Sequence, residues 1–550
     1  FAQRINGSVE PRLQPMVEIH FDNDLQGDQP NGNKAYMYAF ASVGFFIILL
    51  ACINYMNMAT ARSVTRIGEM GIRKVLGYSR TALFRQVMME ALVLTIVAML
   101  IATVMAFVIL EWTPFNAVIG KELSLDFLNN PYLAPGILGI TLMIGMLSGL
   151  YPAIYIPAVP VVKALKGTFT GDRASSLLRK VLIVFQFVVS LFVIICTVIM
   201  EHQIAYMQDK DVGFDNENVL LINIRDTTVS NQLEVVKELL LANPNIEQAA
   251  NSYGTPGVGI GGSVMKVERD SSMAQQSMDI IWAGQDFLET MGIEIIEGRD
   301  FHKDSEADLG HSFLVNETGV KELGWSDQPL GKRARYFHGE EDMRVIGVMR
   351  DFNFESLHEP IRPLFIIPND DGGGVLHLRV NSQDFPKTLT FIEETWTRFD
   401  RRYPFEHYFL DEEYAREYEE DQRQQRLIGG LSYVCIFVSI LGLIGLSAFT
   451  VGRRSKEISI RKVLGAQVGS IIFLFSKDYL RLIVIAFAIS IPLAYYIIVE
   501  WLRDFAYRVD VRWDDFAVPG VLVLLLGLIT VSIQLVRSAR ANPVDGLRSE

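Results

Sequence analysis

Cysteine is almost missing. Three residues in 550, Cys52, Cys196 and Cys435, each sit inside a long apolar run, which excludes a secreted fold built on disulfides. No G-x-x-x-x-G-K-[ST] occurs. Gly27 to Lys34 comes nearest, with Asn33 in the way, so this chain cradles no nucleotide phosphates in a P-loop. The eight histidines are scattered, with no H-E-x-x-H and no cysteine partners, and no metal centre is expected. His302 and His311 are too far apart for a helix-borne pair and are expected to face solvent. No Ser-His-Asp or Cys-His set can be picked out, so no catalytic residue is assigned and the chain does not read as an enzyme. Charge is scarce too. Half the residues are apolar, 21% are charged and mean hydropathy is +0.24, too oily for an ordinary soluble enzyme or a disordered chain. The net charge of −13 argues against nucleic acid as a partner.

What is present is apolar sequence in long runs. Seven stretches are long enough to cross a bilayer core of about 30 Å: Tyr36–Ala61, Val87–Leu110, Leu133–Pro157, Val181–Met200, Leu427–Val451, Ile471–Val499 and Phe516–Leu535. One such run could be a buried core helix; seven cannot all be. Lys and Arg in the short loops set the orientation. The loop after the first run carries Arg62, Arg66, Arg73, Lys74, Arg80 and Arg85 against Glu69. The loop before the fourth carries Lys163, Lys166, Arg173, Arg179 and Lys180 against Asp172, and the loop after the fifth Arg453, Arg454, Lys456, Arg461 and Lys462 against Glu457. These three are cytoplasmic. Leu110–Tyr132 and Glu500–Asp515 lack that excess and face outward. Residue 1 is then outside, with no signal peptide ahead of it. The expectation is that at least one span and most of an outer domain precede Phe1.

Between the fourth and fifth spans, Glu201–Gln425 holds 43 Asp and Glu against 21 Lys and Arg, a net of −22, leaving the rest of the chain near +9. This outer domain alternates strand and helix. Asn218–Ile224, Met343–Val348 and Gly374–Val380 read as strands; Asn231–Leu241 and Phe385–Phe399 read as helices. Asp411–Arg426 reads as a charged helix running straight into the fifth span, either a transmitter of movement or a solvated stalk. Gly257–Gly262 (GVGIGG) spells G-x-G-x-x-G, but Pro256 precedes it and a strand, not a helix, follows. It is read as a flexible surface loop rather than a dinucleotide site.

The chain also repeats itself. Arg66–Gly77 reads RIGEMGIRKVLG and Arg454–Gly465 reads RSKEISIRKVLG, both on the cytoplasmic side after a span. A weaker echo follows the last span of each half, Val161–Lys166 (VVKALK) and Pro543–Arg548 (PVDGLR). Glu69 and Arg73, like Glu457 and Arg461, are four apart and can pair along a helix. Ile72, Val75 and Leu76 share one face, as do Ile460, Val463 and Leu464, and Gly77 and Gly465 are placed to end the helix. Each copy is thus a short amphipathic helix. Anionic lipid headgroups would account for its charge. They would not account for IRKVLG recurring unchanged, because lipid contact tolerates scrambling; a protein partner does account for it. The polar residues inside the spans, Asn54, Asn57, Glu90 and Gln186, are expected to pack helices rather than line a conduit.

At these residues the chain resembles the MacB/FtsX-type permeases of ABC transporters, in the long eight-span form with two periplasmic core domains. The resemblance rests on Glu69–Gly77 and Glu457–Gly465 (E-x-x-x-R-K-V-L-G), Ala51–Ala59 (ACINYMNMA), Tyr151–Ala153 (YPA), Lys163–Gly167 (KALKG), Asp286–Phe301 (DFLETMGIEIIEGRDF) and Val345–Pro363 (VIGVMRDFNFESLHEPIRP). The second half departs at Ser532–Leu535 (SIQL), where the first has YPA. The implied fold class is an α-helical polytopic membrane protein with an inserted α+β extracytoplasmic domain and two homologous FtsX-like halves. The expected boundaries are 1–34 for the tail of a first periplasmic domain, 35–167 for the first permease unit and 168–180 for a cytoplasmic linker. The transmembrane helix of the second half takes 181–200, the MacB-like periplasmic core domain 201–426 and the second permease unit 427–550. The resemblance implies a place in the cell inner membrane and a separate ABC ATPase, in two copies, with a periplasmic adaptor or envelope protein as a further partner. It assigns ATPase coupling to Glu69, Arg73, Lys74, Val75, Leu76 and Gly77 and to Glu457, Arg461, Lys462, Val463, Leu464 and Gly465. No cofactor is implied. It also implies mechanotransmission, in which ATP-driven closure inside is relayed to the outer domain, with peptides, lipoproteins or other amphiphiles as cargo. The same machinery could instead switch an envelope partner, a cell-wall hydrolase or signalling protein, without moving cargo. A secondary transporter would need paired acids or broken helices at the midplane, and neither is evident.

Overall fold

The computed structural model of the chain describes Pro15 and residues 34–158, 173–269, 272–302, 305, 307–381, 384–453 and 455–540. The expected domain tail before residue 34 (Pro15 and Lys34 apart), both echoes VVKALK and PVDGLR, and residues 168–172 of the cytoplasmic linker lie outside these residues.

Two compact units emerge. The first holds α1 (Lys34–Val75), α2 (Arg80–Trp112), α3 (Phe115–Ile119), α4 (Leu133–Ala158) and most of α5 (Arg173–Asp209). Among the described residues, seven helices are long and apolar enough to cross a membrane, one for each predicted run. Apolar side chains cover their outer faces, Leu100, Ile101 and Val104 of α2 among them, as expected where lipid is the solvent. Hydrophobicity does not drive helix association in lipid, so close backbone approach has to. Gly145 and Gly149 of α4 supply it: a Cβ at Gly145 would stand 2.7 Å from the Leu92 side chain, and one at Gly149 2.7 Å from Ala91.

The second unit is the outer domain. Its chain runs β1 (Val219–Ile224), α6 (Thr227–Ser230), α7 (Leu233–Leu241), β2 (Ile246–Tyr253), β3 (Gly261–Arg269), β4 (Ser272–Ala283), α8 (Phe287–Met291), β5 (Ile295–Gly298) and β6 (Ser312–Asn316). It continues through α9 (Glu317–Glu322), β7 (Arg333–Tyr336), β8 (Met343–Met349), β9 (Leu364–Pro368), β10 (Gly374–Val380), α10 (Phe385–Phe399), β11 (His407–Phe409) and α11 (Leu410–Glu417). The sheet has two parts. β11, β1, β10 and β2 form an open antiparallel sheet. β4, β3, β7, β8, β6 and β9 form a ring that closes through parallel pairing of β9 with β4. Among the described residues, the two parts join only where Ser252 and Tyr253 of β2 face Ala283 and Trp282 of β4.

Strand alternation sorts the apolar residues into three cores. Met265, Ile280, Phe313, Trp325 and Phe365 fill the ring. Leu220, Ile222, Leu376 and Leu378 pack with Val236, Leu240, Ile392 and Trp396 of α7 and α10 on one face of the open sheet. Val219, Leu221, Ile281, Leu314 and Ile366 face the third core, with Phe287, Phe352 and Tyr414.

The last elements are α12 (Glu419–Arg453), α13 (Ser455–Val463), α14 (Val468–Leu502) and α15 (Asp514–Arg540). The predicted single helix over 411–426 is interrupted. Tyr418 has φ −100° and ψ 1°, and α11 ends there. No glycine or proline causes the break. Tyr418 is pulled into the third core, 3% exposed, where its hydroxyl accepts from the Leu357 amide at 2.9 Å. The GVGIGG segment is not a free loop either: Gly257 N donates to Phe354 O at 2.9 Å, and its position against the Tyr414 ring leaves no room for a Cβ.

A second segment, Val499–Asp510, completes the outer unit. Phe505 is 3% exposed in the third core and stacks on His358 with centroids 4.4 Å apart. Gln203 donates to Tyr507 O at 2.8 Å and accepts from Val509 N at 2.9 Å. The charge rule puts this loop outside, on the side of the domain it joins.

Candidate functional site

The two repeated segments have the same local build. In the first, Leu76 N reaches Ile72 O at 3.0 Å, Gly77 N reaches Lys74 O at 3.1 Å and Tyr78 N reaches Arg73 O at 3.1 Å. In the second, Leu464 N reaches Ile460 O at 3.0 Å and Ala466 N reaches Arg461 O at 2.9 Å. Gly77 and Gly465 have φ of 94° and 89°, the left-handed turn that closes a Schellman cap and that side chains resist. The predicted ion pairs form, Arg73 to Glu69 at 2.7 Å and Arg461 to Glu457 at 2.8 Å. The helices differ in context: the first copy is the continuous end of the 42-residue α1, the second is the nine-residue α13.

One side of each segment is anchored. Met70, 4% exposed, packs with Leu83, Val87 and Ala153; Ile458, 2% exposed, joins the core built from Ile183, Leu446, Ile471 and Val531. These anchors occupy the same position between Glu and Arg in each copy, a register that the repeat contained and sequence reasoning passed over. Two further ties hold the first copy. Arg73 Nη1 donates to Gln86 Oε1 at 2.8 Å, and Lys74 Nζ donates to Pro157 O at 2.6 Å. Partial burial, then the nearby Arg80 charge, holds the Lys74 ammonium pKa below its ordinary value. The side chain of Lys462 lies outside the described residues.

The other side is bare. Ile72, Val75 and Leu76 are 54%, 64% and 74% exposed, and Ile460, Val463 and Leu464 are 50%, 67% and 80% exposed. All six candidate positions of the first copy thus lie within one capped helix end. The apolar face predicted from spacing points out in both copies, flanked by an ion pair.

Within the spans, Asn54 Nδ2 donates to Val438 O at 2.6 Å and Gln186 Nε2 to Ser439 O at 2.8 Å. Ser190 and Ser439 hydroxyls meet at 2.6 Å, as do Thr197 and Ser432. These groups join α1 and α5 to α12. In the outer domain, His302 and His311 are exposed as expected. His377 is fully buried in β10, edge-on to Phe287 and 3.1 Å from the Thr255 hydroxyl; burial pushes its pKa down to about 4. Leu376, Leu378 and Val380 alternate with His377 and Arg379, a pattern that gave no sign that the His377 face is covered as well.

The model of the FtsX-like permease C-terminal domain matches twice, at residues 41–159 and 429–543, and that of the MacB-like periplasmic core domain matches residues 189–392. The chain is an FtsX-like permease with one MacB-like periplasmic core domain. It is a multi-pass membrane protein of the MacB/FtsX type of ABC transporter permease, a family that implies an ABC ATPase partner. Three solved structures are similar to part of this chain. The periplasmic region of MacB from Actinobacillus actinomycetemcomitans is 13% identical, with TM-score 0.28, over 37% of this chain and 94% of its own. A domain of a putative permease from Porphyromonas gingivalis is 19% identical, with TM-score 0.26, over 35% and 90%. The extracellular domain of the transporter YknZ from Gram-positive bacteria is 12% identical, with TM-score 0.25, over 34% and 98%. No curated protein sequence matches the chain.

Proposed function

We propose that this permease is the inner-membrane subunit of an ABC transporter. It takes two copies of a separate ATPase on Glu69–Gly77 and Glu457–Gly465 and converts their closure into movement of its periplasmic domain. One observation carries the reading. Two segments that share IRKVLG, a glycine cap and an ion pair are fixed through Met70 or Ile458 and keep a bare apolar triplet on the other side. Family membership supplies the motor, and the absent P-loop is consistent with a motor on another chain. The spans hold polar groups already engaged with neighbouring backbone, which suits transmission of movement better than passage of cargo through the bilayer. Cargo taken from the outer side, a peptide, lipoprotein or other amphiphile, fits that mode.

Purification of the full-length permease from its own membrane tests this. A P-loop ATPase should accompany it, and Arg73→Glu with Arg461→Glu should release that subunit. If no ATPase accompanies the permease, or if the double variant retains both the ATPase and in-cell function, the reading is wrong.

A further inference from the structure

The junction between the two parts of the outer sheet leaves a notch of about 750 Å³. β2 and β4 pair there over only two residue pairs, so the strands part and open a space beside Tyr253, Trp282 and Tyr336. Trp282 Nε1 donates to the Tyr336 hydroxyl at 2.7 Å, which fixes the indole and leaves the phenol O–H to donate elsewhere. Tyr253 is 42% exposed. Gly310 and Gly339 keep the rim low. Charge around the notch is of one sign: Glu340, Glu341 and Asp371 line it, and no cationic side chain does. Nearby Arg333 and Arg335 pair instead with Asp342. No ion pair occupies Glu340, Glu341 or Asp371 among the described residues.

A concave site of this size suits a small ligand. Aromatic faces attract a cation that is partly desolvated, and carboxylates beside them add the long-range pull. An anion would be repelled, and a neutral apolar ligand would gain nothing from the three acids.

We propose that the notch binds an amphiphilic cation, with its charged group held among Glu340, Glu341 and Asp371 and its apolar body against Tyr253, Trp282 and Tyr336. Calling this ligand cargo rests on the transport reading above; its binding does not, because no ATPase is needed for it.

The test uses the full chain in nanodiscs of zwitterionic lipid, with the cationic dye rhodamine 6G as probe and empty nanodiscs subtracted. Fluorescence anisotropy should show saturable binding that weakens as salt rises. Glu340→Gln, Glu341→Gln and Asp371→Asn together should weaken it at least tenfold. These are exposed turn and loop residues, so the variant should melt where the parent does. Tyr253→Leu should weaken binding about fivefold and keep an apolar side chain in place. The dye should also quench Trp282 fluorescence, and Trp282→Phe should remove that component. Binding within twofold of the parent in the triple variant, or equal binding of the anionic dye sulforhodamine B, overturns the proposal.

Discussion

The sharpest consequence of the bare triplets concerns Leu76 and Leu464. Each is mostly exposed, at 74% and 80%. Leu→Ala removes three carbons, worth about 0.8 kcal/mol each when buried. Scaled by the exposed fraction, docking that covers these side chains would lose about 2 kcal/mol per site. Each segment takes its own ATPase copy, so the double variant Leu76→Ala, Leu464→Ala should weaken binding of each copy by about 2 kcal/mol, a roughly thirtyfold change in Kd. Folding should change by less than about 0.5 kcal/mol, because neither side chain packs inside the free chain. Met70→Ala is the contrasting variant: it empties a packed position and should cost about 2–5 kcal/mol of stability. The assay titrates the co-purified ATPase onto parent and variants in nanodiscs and follows each melting curve. Anionic-lipid vesicles serve as the second ligand. Double-variant affinity for the ATPase within threefold of the parent would refute docking through the triplets. A loss confined to vesicle binding would return these helices to the lipid surface.

Three other outcomes follow from the outer domain. Tyr418→Phe removes the acceptor of the buried Leu357 amide and should cost about 1–3 kcal/mol, seen as a lower Tm and faster amide exchange at Leu357. Gly257→Ala should destabilise the domain more than a surface change does, since φ is +74° and the new methyl would intrude on the Tyr414 ring; near-UV circular dichroism should register the displaced tyrosine. His377 is buried neutral with its pKa depressed to about 4 against an unfolded value near 6.5. Below pH 6.5 the unfolded chain takes up a proton that the fold refuses. The stability His377 contributes should be whole above that pH and fall by about 3 kcal/mol as pH drops to about 4. His377→Gln should flatten that part of the pH–stability curve, and an unchanged slope would refute the assignment.

Local pattern carried the elements a long way. Gly374–Val380 and Phe385–Phe399 have the bounds that spacing assigned them, because β-branched alternation and an amphipathic period leave little choice. The seven spans followed from length and hydropathy, and the two capped helix ends from the repeat with its glycine stop. Contacts between distant residues were not legible. DEEYAREYEE reads as unbroken helix, and only the pull of the core on Tyr418 and its bond to Leu357 divide it. GVGIGG reads as loose until Tyr414 and Phe354 meet it. Met70 and Ile458 were visible as apolar letters, but which neighbours they anchor to depends on how the spans pack.

The contribution of Val499–Asp510 to the outer domain bears on how the protein is made. Phe505, Tyr507 and Val509 reach their places only after the chain has crossed the bilayer twice more beyond Gln422. Until the ribosome has delivered that stretch and it has been threaded outward, the third core lacks an aromatic side and Gln203 lacks both of its backbone partners. Maturation of the domain is therefore tied to insertion of the second membrane half, and a nascent chain stalled before residue 499 should expose a greasy opening that envelope proteases can recognise.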